Sequence, residues 1–87
     1  MSLKPWYVYI LECKNGALYT GITNDLEARY RAHCAGKGAK YTRANPPVRI
    51  AGYAKLADRI VAAKMEYAIK QLPRDRKLEL LCALRAQ

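Results

Sequence analysis

Five side chains in this sequence could together carry out chemistry on a phosphodiester. They provide two phenols, one guanidinium, one imidazole and one carboxylate, from Tyr9, Tyr19, Arg29, His33 and Glu66. Phosphodiester hydrolysis needs a cation for the developing charge, a group that takes a proton, and a ligand for Mg²⁺. Each of these residues taken alone is more often structural than catalytic. The elements that position them therefore decide whether they form a site.

The two tyrosines lie on segments that are typical of a β-hairpin. Trp6–Leu11 is rich in aromatic and β-branched residues, which favour strands, and Ala17–Ile22 fits the returning strand. Between them, Lys14–Gly16 contains an Asn-Gly pair, which is a strong turn signal. Both tyrosines are therefore expected on adjacent strands of one hairpin.

The register of this hairpin decides whether the tyrosines can act together, because side chains alternate between the two faces of a strand. A two-residue turn at Asn15-Gly16 places Tyr9 and Tyr19 on opposite faces. A three-residue loop, with Gly16 in the left-handed conformation of a bulge, places them on one face. We expect the three-residue loop, in which Tyr9 lies opposite Gly21 and the glycine leaves room for the tyrosine ring.

A first helix is expected to carry the arginine and the histidine. Asn24 can cap its N-terminus, and Glu27, three residues later, completes a pattern that resembles a capping box. The helix is predicted to extend to about Ala35 and to end at the glycines that follow. Arg29 and His33 are four residues apart, so they project from one side of this helix.

The second half of the sequence alternates between loop, strand and helix. Residues 37–47 are predicted to form a basic loop, and Val48–Ala54 a third strand. Asp58 is suited to cap a second helix that reaches Leu72, where the following proline ends it. A third helix is predicted over residues 74–86. Together these elements predict one small α+β domain over the whole chain, with helices packed on three strands.

The second helix carries Glu66 beside an apolar stripe. The stripe, which we expect to pack against the sheet, comprises Val61, Met65, Ile69 and Leu72. Alanines near Glu66 on the helix would leave space around its carboxylate. Glu66 is therefore a candidate metal ligand, and the alternative is a simple ion pair with Lys70 one helical turn later.

The positive charge of the chain is concentrated in one window. The sequence has 16 Lys and Arg against 7 Asp and Glu, a formal net charge of +9. Residues 28–57 hold seven basic side chains and no acidic one, which favours a polyanionic partner such as nucleic acid. We expect contacts with nucleic acid from four residues of this window: Arg31, Lys37, Lys40 and Arg43.

Membrane and zinc-binding classes have little support in this sequence. The longest apolar run, Trp6–Leu11, has six residues, too few for a membrane helix or a signal-peptide core. Three cysteines without a C-x-x-C spacing, together with a single histidine, lack the ligand pattern of a zinc site. Such cysteines are typical of reduced thiols, so we expect the protein in the cytoplasm.

The order and spacing of the five candidate residues resemble the GIY-YIG nuclease domain. Tyr7–Tyr9, ten residues before Tyr19–Gly21, is similar to the paired motif that names this family. Arg29 follows Tyr19 by ten residues and His33 follows Arg29 by four, as in the helix where the family keeps its arginine and a His or Tyr. Glu66 matches the family's metal-binding glutamate on a later helix. The resemblance is to the small stand-alone bacterial members.

This resemblance implies a three-stranded antiparallel sheet flanked by helices, and divalent-metal-dependent cleavage of DNA. Glu66 would be the sole protein ligand to Mg²⁺ or Mn²⁺. Tyr19 would be the general base or would help activate the attacking water. Tyr9 would orient both that water and the phosphate. Arg29 would stabilise charge on the phosphate, and His33 would hydrogen-bond Tyr19 or act on the leaving side.

The resemblance covers residues 6–78, nearly the whole chain, and no appended targeting domain is recognisable. We therefore expect low intrinsic sequence specificity, since phosphate contacts carry no sequence information by themselves. Specificity would come from DNA shape or from a protein partner, in a setting such as repair or recombination. The alternative is a nucleic-acid-binding module that cleaves weakly or not at all within a larger assembly.

Overall fold

A computed structural model describes residues 4–85 as an α+β fold, as predicted. A three-stranded antiparallel sheet with strand order β2-β1-β3 is flanked by helices. In chain order the elements are β1 (Trp6–Cys13), β2 (Leu18–Thr23), α1 (Leu26–Cys34), α2 (Lys40–Ala44), β3 (Pro47–Leu56), α3 (Arg59–Lys70) and α4 (Arg74–Arg85). The end predicted for the last helix, Ala86, lies outside the described residues.

The β1–β2 hairpin has the three-residue loop and the register that the sequence predicts. Gly16 adopts a φ of 85°, in the left-handed region that favours glycine. Tyr9 pairs with Gly21 and Leu11 pairs with Tyr19, so both tyrosines lie on the same face of the sheet. A Cβ atom at Gly21 would overlap the Tyr9 hydroxyl, which explains why glycine is needed opposite this ring.

The two faces of β1 serve different purposes because its side chains alternate. One face contributes to a hydrophobic core with α3 and α4, whose buried members are Val8, Ile10, Ala51, Ile69 and Leu81. The opposite face carries Tyr9, which is buried against His33 of α1. The sheet therefore packs a hydrophobic core on one face and carries the buried Tyr9–His33 pair on the other.

Helix α1 begins one residue later than predicted. Its N-cap is Asp25 and not Asn24, and the Asp25 carboxylate accepts a hydrogen bond from the Ala28 amide at 3.2 Å. Glu27 forms an ion pair with Arg31 instead of closing a capping box. The shift arises because β2 continues through residue 23, and the hydroxyl of that threonine accepts a hydrogen bond from the Asp25 amide.

The predicted basic loop contains a short helix that the sequence analysis missed. Helix α2 occupies Lys40–Ala44, within residues 37–47. The Thr42 hydroxyl donates a hydrogen bond to the Ala39 carbonyl at 3.0 Å, which ties the first turn together. Strand β3 then extends beyond the predicted Val48–Ala54 at both ends. The helix after it has the predicted cap, because Asp58 accepts a hydrogen bond from the third residue along the helix at 2.9 Å.

The buried face of α3 differs from the predicted stripe. Val61 and Met65 are 41% and 40% exposed, so the expectation that they pack against the sheet is wrong. The buried residues are Ala62 and Ile69, and Glu66 lies between them at the spacing of one helix face. Ala62 has a small side chain, which permits close approach of α3 to the sheet. This rotation turns Glu66 inward, where it is half-buried.

None of the helices within residues 4–85 is both long enough and apolar enough to cross a membrane.

Candidate active site

The centre of the site is a hydrogen bond between a strand and a helix. The Tyr9 hydroxyl lies 2.8 Å from Nε2 of His33, and both side chains are buried. Tyr9 is presented by the central strand, and His33 by the last turn of α1. Because both side chains are buried in the fold, the phenol and the imidazole have a fixed relative orientation.

The opposite edge of the imidazole is also held. Nδ1 of His33 lies 2.6 Å from the Thr42 hydroxyl oxygen, and Thr42 is fully buried. A Cβ atom at Gly38 would overlap the same nitrogen, so the backbone there packs directly against the ring. His33 is thus enclosed between β1 on one side and the segment leading into α2 on the other.

Tyr19 contacts the histidine through its aromatic ring. The ring centroids of Tyr19 and His33 are 5.4 Å apart with planes inclined by 62°, an edge-to-face arrangement. The hydrogen-bond partners of His33 are Tyr9 and Thr42, in place of the expected hydrogen bond to Tyr19. The Tyr19 ring also stacks on Tyr41 of α2, with centroids 6.2 Å apart.

Arg29 and Glu66 both act electrostatically on the buried phenol. Burial raises the pKa of Tyr9, a hydrogen-bonding interaction with Arg29 opposes this rise, and the charges of Tyr19 and Glu66 add to it. Burial also lowers the pKa of His33, and the nearby Arg29 guanidinium lowers it further. His33 is therefore neutral at pH 7. Tyr9 therefore interacts with each of the other four candidate residues, through a hydrogen bond with His33 and electrostatically with Tyr19, Arg29 and Glu66.

Glu66 is the acidic member of this cluster. Its carboxylate lies 3.3 Å from the Lys70 ammonium, one helical turn away, so the ion pair considered from the sequence is present. Within residues 4–85, no three His, Cys, Asp or Glu side chains come together as a ready-made metal site. A metal ion at this place would have Glu66 as its protein ligand, with the remaining positions filled by water and substrate oxygens.

The basic residues expected to contact DNA fall into two groups. Lys37, Lys40 and Arg43 are exposed on α2 and the segment before it, beside the enclosed imidazole. Arg31 is exposed on α1 but is two residues from both Arg29 and His33, which places it on the far side of that helix. Its guanidinium pairs with a glutamate there. The structure therefore does not bring Arg31 to the site.

Several residues that help to build the site were not predicted from the sequence. Thr42 hydrogen-bonds the histidine and the backbone at Gly38 packs against its ring. Both residues lie in the segment that was interpreted as a basic loop. Tyr41 forms one wall of a groove of about 400 Å³ at the edge of β2, together with Tyr19. Lys70 lies at this groove as well. A threonine four residues after two closely spaced glycines is too common a pattern to have identified these contacts.

One known protein family matches the segment that contains all five candidate residues. The GIY-YIG catalytic domain matches residues 5–79 of this chain. The chain belongs to the GIY-YIG family. The GIY-YIG assignment agrees with the resemblance seen in the sequence, and with a three-stranded sheet flanked by helices. It places the protein in a nuclease-type superfamily.

Relatives of this GIY-YIG protein occur in several bacteria. A UPF0213 protein of Xanthomonas axonopodis pv. citri is 55% identical over 82 residues, which cover 94% of this chain and 80% of the relative. A UPF0213 protein of Oceanobacillus iheyensis is 51% identical over 75 residues, covering 86% of this chain and 87% of the relative. The GIY-YIG chain is thus similar to these proteins over most of its length.

Two solution NMR structures are similar to this GIY-YIG protein. The UPF0213 protein BH0048 of Bacillus halodurans is 43% identical, with a TM-score of 0.59 over 91% of this chain and 84% of that one. The protein EF2693 of E. faecalis is 35% identical, with a TM-score of 0.66 over 99% and 92% of the two chains. The GIY-YIG chain therefore shares its fold with both.

Proposed function

We propose that this protein is a divalent-metal-dependent endonuclease that hydrolyses phosphodiester bonds of DNA. One observation carries the proposal: the Tyr9–His33 hydrogen bond of 2.8 Å is surrounded by Tyr19, Arg29 and Glu66. This arrangement offers an acceptor for a proton, a cation for a phosphate, and a carboxylate for a metal ion. The match of residues 5–79 to the GIY-YIG catalytic domain supports the same reaction.

The Tyr9–His33 pair supplies a route for the proton of the attacking water. The pKa of His33 is lowered by burial, so the ring is neutral at pH 7 and has a free electron pair for a proton. As water attacks phosphorus, its proton passes to the Tyr9 oxygen while the phenolic hydrogen passes to Nε2 of His33. The geometry thus favours Tyr9 with His33 over Tyr19 as the proton-accepting group, and Tyr19 orients the water or the phosphate.

Arg29 stabilises the transition state in this proposal. Its guanidinium is close enough to Tyr9 to oppose the effect of burial on the pKa of the phenol, so it reaches the atom at which the water is activated. The phosphorane oxygens gain negative charge during attack, and a guanidinium can meet two of them with parallel hydrogen bonds. Arg29 therefore acts on the phosphate, while Tyr9 and His33 act on the nucleophile.

The residues at the site fit a Mg²⁺ or Mn²⁺ ion held by Glu66. Mg²⁺ commonly binds through one or two carboxylates, keeps several waters, and takes further oxygens from substrate phosphates. Glu66 lies on the inward face of α3 but remains 24% exposed, so water and a hydrated ion can reach its carboxylate. A bound divalent ion would neutralise charge on the phosphate oxygens.

The exposed cations around the site account for binding without sequence preference. Lys40 and Arg43 on α2, with Lys37 before it, can contact backbone phosphates, which are the same in every sequence. The proposed substrate is therefore DNA recognised by shape, or delivered by a protein partner, and a role in repair or recombination is consistent with this.

A metal titration on matched variants tests this function. Wild-type protein is expected to nick linear, flapped or branched DNA with Mg²⁺ or Mn²⁺, and Glu66→Gln to lose at least about 100-fold in rate while binding survives. Glu79→Gln is the control, since Glu79 is an exposed glutamate that pairs with Arg76 on α4. Equal cleavage by wild type and Glu66→Gln would remove the assigned metal site.

A second comparison separates the roles of the tyrosines. Tyr9→Phe breaks the route to His33 and is expected to slow cleavage more than Tyr19→Phe does. The reverse order would return the role of base to Tyr19. Metal-independent binding of DNA by wild-type protein, without cleavage of any of these substrates, would identify the chain as a binding module instead.

A further inference from the structure

The protonation pattern of the imidazole follows from the hydrogen bonds around Thr42. A threonine hydroxyl has one hydrogen to donate and two lone pairs that accept. The Thr42 hydroxyl lies 3.0 Å from the Ala39 carbonyl oxygen, which can only accept, so its single hydrogen is used there. The contact of 2.6 Å between Thr42 and Nδ1 of His33 must then be a hydrogen bond in which Nδ1 donates.

This assignment determines the direction of the next hydrogen bond. A neutral imidazole has one N–H, and if that hydrogen is on Nδ1, Nε2 is an acceptor. The Tyr9 hydroxyl, 2.8 Å from Nε2, must therefore donate to His33. In the opposite tautomer Nε2 would donate to the Tyr9 oxygen, and Thr42 would have to donate its hydrogen to Nδ1 and lose its hydrogen bond to the Ala39 carbonyl.

We propose that Thr42 is a positioning residue that holds His33 in the Nδ1-protonated tautomer, so that Nε2 accepts the hydroxyl hydrogen of Tyr9. The chain of donors runs from Tyr9 through the imidazole to Thr42 and ends on the Ala39 carbonyl. Its consequence for catalysis rests on the proposed endonuclease function, because only this tautomer lets Tyr9 pass its proton to His33 as it takes one from water. The tautomer itself does not depend on that function.

The packing around the ring supports a fixed arrangement. Thr42 is fully buried, so water cannot replace the imidazole as the hydrogen-bond partner of its hydroxyl. The backbone at Gly38 packs against the Nδ1 edge so closely that a Cβ there would overlap the ring. His33 therefore cannot rotate to exchange Nδ1 with Nε2 without displacing this segment.

The tautomer can be measured directly because the chain contains a single histidine. In protein labelled with ¹⁵N at the imidazole, the two ring nitrogens give one pair of signals whose shifts report which nitrogen carries the hydrogen. Near pH 8, above the lowered pKa of His33, we expect Nδ1 to be protonated and Nε2 to be bare. A protonated Nε2 in the wild-type protein would overturn the proposal without any substitution.

Variants at Thr42 test its role in holding this state. Thr42→Val keeps the shape of the side chain and removes the hydroxyl, so the ring signals are expected to move toward the other tautomer, whereas Thr42→Ser is expected to retain them. Thr20→Val is the matched control, because Thr20 is also buried but its hydroxyl has no hydrogen-bond partner within the described residues. Unchanged ring shifts in Thr42→Val would show that Thr42 merely fills space.

Cleavage kinetics connect the tautomer to catalysis. Thr42→Val is expected to lower kcat about 10-fold to 100-fold with little change in KM, as for other residues that orient a functional histidine. Thr42→Ser is expected to restore most of the rate. A wild-type protein that shows the Nδ1-protonated ring but cleaves no DNA would contradict the proposed function alone, and a cleaving protein with the other tautomer would contradict this inference alone.

Discussion

The Tyr9 hydroxyl lies directly over Gly21, its partner across the hairpin, in space that any other side chain at position 21 would occupy. The candidate active site therefore depends on the absence of a Cβ atom at position 21, because this leaves the phenol room to reach His33. The hairpin register is equally necessary, because only this register places Tyr9 opposite a glycine.

Gly21→Ala is the first test of this relationship. Its Cβ would overlap the phenol oxygen, so we expect a loss of about 1–3 kcal/mol in the free energy of unfolding, as for other overpacked sites, together with slower DNA cleavage. Chemical denaturation measures the stability. In a Tyr9→Ala background the ring is absent, and the same substitution should lose most of its cost. An equal cost in both backgrounds would exclude the ring as its cause.

Stability should depend on pH through His33. The pKa of this histidine is lowered by burial and by Arg29, whereas in the unfolded chain it has its ordinary value of about 6.5. As the pH falls through about 6.5, the unfolded chain binds a proton that the folded chain does not bind until lower pH, so the free energy of unfolding decreases. Above that range His33 makes no pH-dependent contribution.

Urea unfolding between about pH 8 and pH 5 measures this dependence, and NMR titration of the single histidine gives its folded pKa. His33→Gln should remove the decrease in stability that wild type shows on the acid side. A folded His33 that titrates at or above its ordinary value would contradict the expected burial of a neutral ring.

The salt dependence of DNA binding should report on α2. Neutralising Lys40 or Arg43 is expected to reduce the slope of log K against log [salt] by about 1 each, because each removes one phosphate contact and its released counterion. Arg31→Gln should change the slope less, since Arg31 lies on the far side of α1 and pairs with a glutamate. Fluorescence anisotropy with metal-free DNA measures the slopes. Equal effects from Arg31 and Lys40 would place the DNA across α1 instead.

The orientation of α3 can be tested by two substitutions on adjacent positions. Ala62 is fully buried, so Ala62→Leu should overfill the contact with the sheet and cost about 1–3 kcal/mol in the free energy of unfolding. Val61 is 41% exposed, so Val61→Ala should change stability by no more than about 0.5 kcal/mol. A larger loss of stability from the Val61 substitution than from the Ala62 substitution would show that the apolar stripe expected from the sequence faces the sheet. Because Glu66 lies on the face of Ala62, Ala62→Leu should also slow cleavage.

Turn chemistry made the register of the two candidate tyrosines predictable. Gly16 could adopt the left-handed conformation of a three-residue loop, and Gly21 offered room opposite Tyr9, so two independent local features favoured one register. The spacing of Arg29 and His33 on one helix was equally informative. These signals are local, and they act within a few residues of the positions that they determine.

The errors arose where packing decides the outcome. Large apolar side chains were taken to mark the buried face of α3, yet the helix approaches the sheet through Ala62, which leaves Val61 and Met65 exposed. Thr42 gave no signal, because its importance comes from a histidine nine residues away that it meets only in the folded chain. Such contacts depend on tertiary structure and cannot be derived from the period of a pattern.

Helix α2 has an exposed basic side and a buried side within its five residues. Lys40 and Arg43 are exposed on its outer side, whereas Thr42 is buried on its inner side against the imidazole. Under the proposed function, a DNA strand that binds the exposed cations also restricts the motion of α2, the short helix that contacts His33. Affinity and turnover are then coupled, so substrate binding would itself rigidify the proton-transfer chain, and changes in α2 that alter affinity would alter the rate as well.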